Sequence, residues 1–410
     1  MTGITLISPP EKHLLMEAGD RPNLGILYLA QALKEAGHTP YVSDLNHDSF
    51  RTMNEKIDKS YFIAMTTITP FYDWIMRFSE HLKSNYPEKL LIAGGPHATV
   101  APESIQNNFD YIVKGEGERA IVDIVEGKVK DKIIQYPYEI DIDKLPIPHR
   151  AMPSEYKYGI NQEGHNTMSL LTSRSCPFRC FFCTHGILGN YQRKHSPERV
   201  LLEVDELMDK GYNSFYFQDD CFTIDKKRAI EIADRLKERK VTIRVTSRTD
   251  TIDEELMSKL RDAGLRSISY GLEHFDNKVL KKIDKDNSVE NHIKAIKCAH
   301  DNGVKVRGSF IVNLPGATKK TAYKTLEMAE ELELEFADFY TLTAYPGTPV
   351  WNNPEHYGVK VNKDFKYYQL GYDTNVWTRG FGWKVEPVIK DIRRRWAEFR
   401  GIKCPWENCR

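Results

Sequence analysis

The chain has 410 residues, with 58 Lys+Arg against 58 Asp+Glu and a formal net charge of zero. That length predicts two or three domains with room for buried cores, and the balanced charge argues against a partner such as nucleic acid or an anionic membrane, both of which reward a basic excess. The opening MTGITLISPP has neither a basic stretch nor a long apolar core, and no apolar run reaches the roughly 18 residues of a spanning helix, so the expected location is cytoplasmic.

Along residues 1–135, strand-like runs alternate with amphipathic runs: ITLIS, LGILYLAQALKEAG, YVSDL, FIAMTTI, a helical pattern over 72–86, LLIAGG and YIVKG. This alternation predicts an α/β domain of the flavodoxin or Rossmann kind, a parallel sheet with helices on both faces. In the first helix Ile26, Leu29, Ala30 and Leu33 share one apolar face and Gly37 supplies the stop. Ligands of such sheets sit outside the carboxyl ends of the strands. The loops there carry Pro9 and Pro10, DLNH at 44–47, Thr66 and Thr67, GGPH at 94–97 and GEGE at 115–118. Paired glycines let a bulky ligand approach the backbone; the alternative is ordinary turn chemistry in a flavodoxin-like domain that has lost its cofactor.

Pro137, Pro146, Pro148 and Pro153 crowd residues 136–165, which read as an extended linker. From 166 to 350 the alternation resumes, with strand-like SLLTSR, SFYFQ, TIRVTS, SISYG, VRGSFIV and FYTLTAY separated by helical patterns over 198–210, 226–240, 254–263, 289–302 and 318–332. Six such units predict a partial (β/α)6 TIM-like barrel whose chemistry lies at the carboxyl ends of the strands. The loop after the first strand holds Cys176, Cys180 and Cys183 within MSLLTSRSCPFRCFFCTHG. Seven cysteines with three clustered look like metal ligation in a reducing compartment. Thiolates suit zinc or iron-sulfur centres, and His185 could complete a structural zinc site. A Cys-x3-Cys-x2-Cys loop without a fourth thiol nearby would instead leave one iron of a 4Fe-4S cluster open, and its place at a barrel mouth favours that reading.

Residues 351–410 are the most aromatic part of the chain, with Tyr367, Tyr368, Tyr372, Trp377, Phe381, Trp383, Trp396 and Trp406. They are expected either to cap the barrel mouth and line a pocket or to close its exposed edge. Cys221 and Cys298 read as small core residues, and Cys404 and Cys409 have no assigned role.

CPFRCFFC resembles the signature of radical S-adenosylmethionine (radical SAM) enzymes, including the aromatic Phe182 before the last cysteine. The resemblance implies that Cys176, Cys180 and Cys183 ligate a 4Fe-4S cluster whose open iron is chelated by S-adenosyl-L-methionine. It places Gln218, Asp219 and Asp220 near the ligand's amino group, although the family's usual Gly-Glu is replaced there. Ser247 and Arg248 follow the third strand and could meet the carboxylate, Arg248 by a bidentate pair; the resemblance places Glu273 at the ribose and NLPGAT (313–318) near the adenine, and AYPGTP (344–349) is a second recurring turn of the same subgroup. Each polar residue has an alternative as part of a barrel-mouth salt bridge. GGPHAT followed by GEGE resembles the cobalamin-binding domain in front of many radical SAM enzymes, with Thr66, Thr67, Gly94 and Gly95 beside the corrin tail. His47 is not expected to ligate cobalt, because DLNHDSF lacks the family's Asp-x-His-x-x-Gly pattern. The pairing resembles class B radical SAM methyltransferases. It implies methylation of an unactivated carbon of a small molecule through a 5′-deoxyadenosyl radical and methylcobalamin, with an outside electron donor such as flavodoxin or ferredoxin. The alternatives are cyclisation or rearrangement beside a vestigial first domain, and a non-catalytic zinc-stabilised binding module.

Overall fold

The computed structural model describes residues 1–10, 21–150, 156, 158, 167–184, 189, 191–365, 368 and 374–402. Two compact units, Met1–Gly164 and His165–Arg410, divide it.

The first unit holds β1 (Gly3–Ser8), α1 (Leu24–Glu35), β2 (Thr39–Asp44), α2 (Phe50–Ile57), β3 (Phe62–Thr66), α3 (Tyr72–Asn85), β4 (Leu90–Gly94), α4 (Pro96–Val100), β5 (Tyr111–Lys114), α5 (Glu118–Val125) and β6 (Ile133–Gln135). Its sheet runs β2-β1-β3-β4-β5-β6, and every neighbouring pair is parallel. Both faces are apolar by the two-residue period of a strand. Along β3, Phe62 and Ala64 join the core under α1 and α5, while Ile63 and Met65 join the core under α2 and α3. The Asn23 side chain accepts from the Ile26 N–H to start α1, and Gly37 at φ +83 turns the chain away after its end. The direction of strand order reverses at β1, so the carboxyl ends of β1 and β3 flank a switch point.

The proline-rich stretch after β6 is more than an extended tether. It contains a short 3-10 turn, Ile142–Lys144, and the buried Tyr156 and Tyr158 fold back on the end of β2. The Tyr158 hydroxyl donates to Asp44 at 2.5 Å, and Lys56 donates to the Tyr156 oxygen at 2.9 Å and to Asp48. Two burial-hungry rings with hydroxyls that find carboxylate and ammonium partners outweigh the extended preference of the prolines.

The second unit contains β7 (Thr167–Leu170), β8 (Ser173–Arg174), β9 (Arg193–Lys194), α6 (Pro197–Asp209), β10 (Ser214–Phe217), α7 (Lys226–Leu236), β11 (Thr242–Ser247), α8 (Glu254–Asp262), β12 (Leu265–Glu273), α9 (Asn277–Lys282), α10 (Val289–Asp301), β13 (Lys305–Ile311), α11 (Lys319–Glu331), β14 (Phe336–Tyr340), α12 (Pro349–Asn352), β15 (Lys360–Val361), β16 (Val376–Trp377) and α13 (Glu386–Arg400). Six parallel strands in the order β7-β10-β11-β12-β13-β14 form the expected partial barrel. Helix α13 covers β14: Arg393 donates to the Phe339 carbonyl from Nε at 2.9 Å and from Nη2 at 2.6 Å, and Trp396 meets the Phe339 ring edge-on. A guanidinium thus caps an edge carbonyl that lacks a strand partner. The Asn375 side chain likewise pairs with both the N–H and the C=O of Ala344, just beyond β14. Tyr367, Tyr372, Trp406, Cys404 and Cys409 lie outside the described residues.

Candidate functional site

In the second unit the cysteine loop is fixed from three directions. Between Cys180 and Cys183 sits Phe181, fully buried; its N–H donates to Ile283 at 3.4 Å and its carbonyl accepts from Val350 at 3.1 Å. Phe182 is half-buried, meeting Phe181 edge-on at 5.5 Å. Ahead of the loop, Ser175 takes φ +69, a costly left-handed conformation for a residue with a side chain, directly before Cys176. Asp219 holds the approach: its carboxylate accepts from the Thr172 N–H, the Thr172 hydroxyl and the Ser173 hydroxyl, each at 2.6 Å. Burial raises the Asp219 pKa, and the Ser173 and Thr172 donors oppose it. Arg228 ties the same turn to the next, donating to Thr172 and His195 carbonyls at 2.7 Å.

Arg248 forms the third anchor. Its guanidinium makes a two-pronged pair with Asp250 (2.9 and 2.6 Å), donates to the Lys285 carbonyl at 2.8 Å, lies 3.7 Å over the Phe178 ring and reaches within 3.9 Å of the Cys180 sulfur. Ser247 points elsewhere, into a hydroxyl cluster with Thr223 and Thr251. Gln218 and Asp220 are half-buried on either side of Asp219. Glu273 ends β12 at a bulge where the register with β13 shifts between Gly271 and Glu273, and its φ of +63 re-aims the carboxylate. Its Oε1 accepts from Lys285 at 2.8 Å.

The sequence-read residues therefore divide. Cys176, Cys180, Cys183, Arg248 and Glu273 share one end of the barrel, whereas Asp219 and Ser247 are spent on neighbouring protein groups. Lys285 and Arg228 were missed, since neither stands at a strand end and no spacing singles them out. Cys221, read as core, is buried beside Thr223 and Thr251. His185, the fourth ligand of the zinc alternative, lies outside the described residues.

The donor set fits an iron-sulfur cluster. Burial pushes the Cys176 thiol up to about 12 and raises that of Cys180, so without a metal both stay protonated, and a bound cluster would have to displace those protons to solvent. Among the described residues no three His, Cys, Asp or Glu side chains converge on a single ion. Thiolates serving three different irons of a cluster need not converge in that way.

In the first unit the Thr66–Thr67 and GGPH loops meet at the carboxyl ends of β3 and β4, next to the switch point. Gly95, at φ +91, crosses so close that an added Cβ would stand 2.6 Å from the Thr66 hydroxyl, while at Gly94 it would meet nothing within 4 Å. The open backbone at Gly94 is a cradle of the kind a flat ligand fills. Thr67 is fully buried: its hydroxyl donates to the Gly94 carbonyl at 2.8 Å and accepts from the Ala98 N–H at 3.0 Å. It shapes the loop, leaving Thr66 as the more exposed hydroxyl. His97 is fully buried between the Thr69 hydroxyl (3.0 Å) and the Ser104 hydroxyl (2.9 Å), and burial lowers its pKa to about 4. His47 stacks on Tyr156 at 5.2 Å and meets Tyr158 edge-on at 4.7 Å. No helix of the described residues is long and apolar enough to cross a membrane.

Residues 170–329 match the family model of the radical SAM superfamily, and residues 17–125 match that of the B12 binding domain. An uncharacterized methyltransferase of Pyrococcus horikoshii is 29% identical over 85% of this chain and 82% of its own length. The anaerobic magnesium-protoporphyrin IX monomethyl ester cyclase of Rubrivivax gelatinosus is 28% identical over 86% of this chain and 69% of its own. The radical S-adenosylmethionine methyltransferase TsrM from Kitasatospora setae, solved with cobalamin and a [4Fe-4S] cluster bound, superposes with a TM-score of 0.73 at 16% identity, covering 89% of this chain and 81% of that one. A parallel sheet with an open switch point ahead of a six-stranded partial barrel with three mouth cysteines agrees with both matched domains, and the chain belongs to the radical SAM enzymes that carry a cobalamin-binding domain.

Proposed function

We propose that the chain methylates an unactivated carbon of a small molecule. The observation that carries this reading is the presence in one chain of a B12 binding domain with open backbone at Gly94 and a radical SAM domain with three mouth cysteines. When bound, the 4Fe-4S cluster, S-adenosyl-L-methionine and cobalamin would supply hydrogen abstraction from carbon and methyl delivery to it. The chain's own residues bind and orient. Cys176, Cys180 and Cys183 would hold the cluster, Arg248 steadies Cys180 and Phe178, and Asp219 fixes the approach to the loop. Glu273 would accept from ribose hydroxyls. Thr66, Gly94 and Gly95 would receive the corrin, with Thr67 holding their loop. Electrons would come from a flavodoxin or ferredoxin.

Cyclisation is the second reading, favoured by the similarity to a relative named as a cyclase. Anaerobic reconstitution with iron, sulfide and hydroxocobalamin, then desalting, tests both the cofactors and the outcome. About four irons and one corrin per chain are expected. Turnover that yields 5′-deoxyadenosine and S-adenosylhomocysteine supports methylation, and 5′-deoxyadenosine alone supports cyclisation. Zinc without iron refutes both.

A further inference from the structure

The cysteine loop carries a cation of its own. Arg179 stands between Cys176 and Cys180 and is exposed. Two residues on, the Phe181 N–H donates to the Ile283 carbonyl at 3.4 Å, which seats the loop on the end of α9. That helix turns Val279 and Leu280 inward and leaves Lys278, Lys281 and Lys282 exposed on one face. Lys282 reaches across to the turn after β13, where a Cβ at Gly316 would stand 2.8 Å from its Cδ. Lys319 and Lys320, also exposed, follow in the first turn of α11.

The stability of the helices does not account for these positions. Lys281 and Lys282 suit the end of α9, but like charges three and four residues apart repel, and Lys319 and Lys320 oppose the dipole of α11, whose first turn holds no acid. Elsewhere in the unit the same residue types are matched: Lys226 with Asp253 and Glu255, Lys259 with Asp234, Arg235 with Glu198, Arg239 with Asp205. None of the six cations has an ion pair among the described residues. Of the acids on the same stretch, Asp276 caps α9 and Asp284 accepts from the Tyr357 hydroxyl, which leaves Asp286 exposed beside them. A chain of zero formal charge thus gathers positive charge around its cysteine loop.

We propose that this basic face docks an acidic protein that delivers single electrons to the cluster. The proposal rests on the radical SAM reading and gives its electron donor a place and a charge. A cluster held by Cys180 and Cys183 would lie beside Phe181, so a partner seated on Arg179, Lys281 and Lys282 approaches it closely. In the step, a flavin hydroquinone gives up one electron and becomes the semiquinone while the cluster gains that electron, and no bond is made or broken. Redox encounters bury little surface and owe much of their association rate to charge, which salt screens.

The test is stopped-flow reduction of the anaerobically reconstituted full chain by a reduced acidic flavodoxin, without S-adenosyl-L-methionine, so that binding of the nucleoside does not enter. Reduced methyl viologen, a small cation, is the comparison. With the unaltered chain the flavodoxin rate should fall about 10-fold or more from low to high salt. Arg179→Gln/Lys281→Gln/Lys282→Gln should keep its iron, lose about 10-fold in the low-salt flavodoxin rate and lose most of the salt dependence, with no slowing by methyl viologen. Since Arg179 is part of the loop, Lys281→Glu/Lys282→Glu carries the same expectation with the loop untouched, and Lys281→Arg/Lys282→Arg should keep the parental rate. Lys210→Gln/Lys240→Gln/Arg266→Gln removes three exposed cations near the amino ends of β10, β11 and β12 and should leave the rate within about 2-fold. A salt-independent flavodoxin rate, an unslowed Lys281→Glu/Lys282→Glu variant, or equal slowing by the distant set would overturn the docking face alone. So would equal slowing with methyl viologen, because the cluster itself would then have changed. A parent chain that holds no iron, or whose iron neither reductant reduces, would overturn the functional reading as well.

Discussion

Replacing Asp219 by Ala should damage the second unit out of proportion to the size of the change. The carboxylate is 2% exposed and accepts three hydrogen bonds of 2.6 Å, from one backbone N–H and two hydroxyls of Thr172 and Ser173. A hydrogen bond to a charged group contributes about 1.5–3 kcal/mol, but bonds sharing one carboxylate do not add, and breaking a buried charged network typically costs about 3–5 kcal/mol. Roughly 4 kcal/mol is therefore expected, and at about 2–4 °C per kcal/mol for a unit of this size the melting point should fall on the order of 10 °C. Asp219→Asn keeps one acceptor oxygen and should cost less than half as much. Since Thr172 and Ser173 lead directly into Ser175 and Cys176, iron retained per chain after desalting should fall in the same order. The assay is thermal melting followed by circular dichroism, with iron measured on the same reconstituted samples. If Asp219→Ala melts within about 2 °C of the parent and holds its iron, the carboxylate is not the clamp described.

Three further outcomes are expected. Gly95→Ala must place a Cβ 2.6 Å from the Thr66 hydroxyl at φ +91 and should lose about 1–3 kcal/mol, whereas Gly94→Ala meets nothing and should leave melting unchanged while lowering the corrin retained after desalting. His97 is held neutral in the fold down to about 4 but takes up a proton near 6.5 when unfolded, so its contribution to stability is intact above pH 6.5 and lost as pH falls from 6.5 to 4, by about 3 kcal/mol in all; denaturant melts across that window should show the acid limb flattened in His97→Gln. Arg248→Lys cannot keep the fork to Asp250, the two carbonyls and the stack on Phe178 together, so iron per chain should fall while bound hydroxocobalamin is unaffected.

Much of the fold is legible because its signals are local and repeated. Each buried parallel strand is a short run such as FIAMT or TIRVTS, and several helices begin at a side chain that caps them, as Asn23, Ser196, Asp253 and Thr318 do. The less legible elements are those that depend on remote partners. Strand β6 is three residues long and exists because β5 offers it an edge. Tyr156 and Tyr158 look like part of a proline-rich tether until Asp44 and Lys56 are seen to meet them. Helix α13 has an apolar face of Val388, Ile389, Ile392 and Trp396 that is hidden in a segment whose aromatics draw the eye first.

The site divides along the same physical line. Cysteine spacing is legible because three thiols on one short loop stand out in the sequence whatever their partners. Polar residues at strand ends are legible as positions but not as roles, because a side chain's role depends on which partner claims it first. Asp219 stands beside Gln218 and Asp220, and nothing in FQDD distinguishes the carboxylate taken by Thr172 and Ser173 from the ones that are not. The bulge at Gly271 works in the opposite direction. One positive φ at Glu273 and one missing Cβ aim a carboxylate at a lysine twelve residues away, so that a glycine in the middle of a strand, ordinarily a weakness, is the condition for the charged pair beside the cysteine loop.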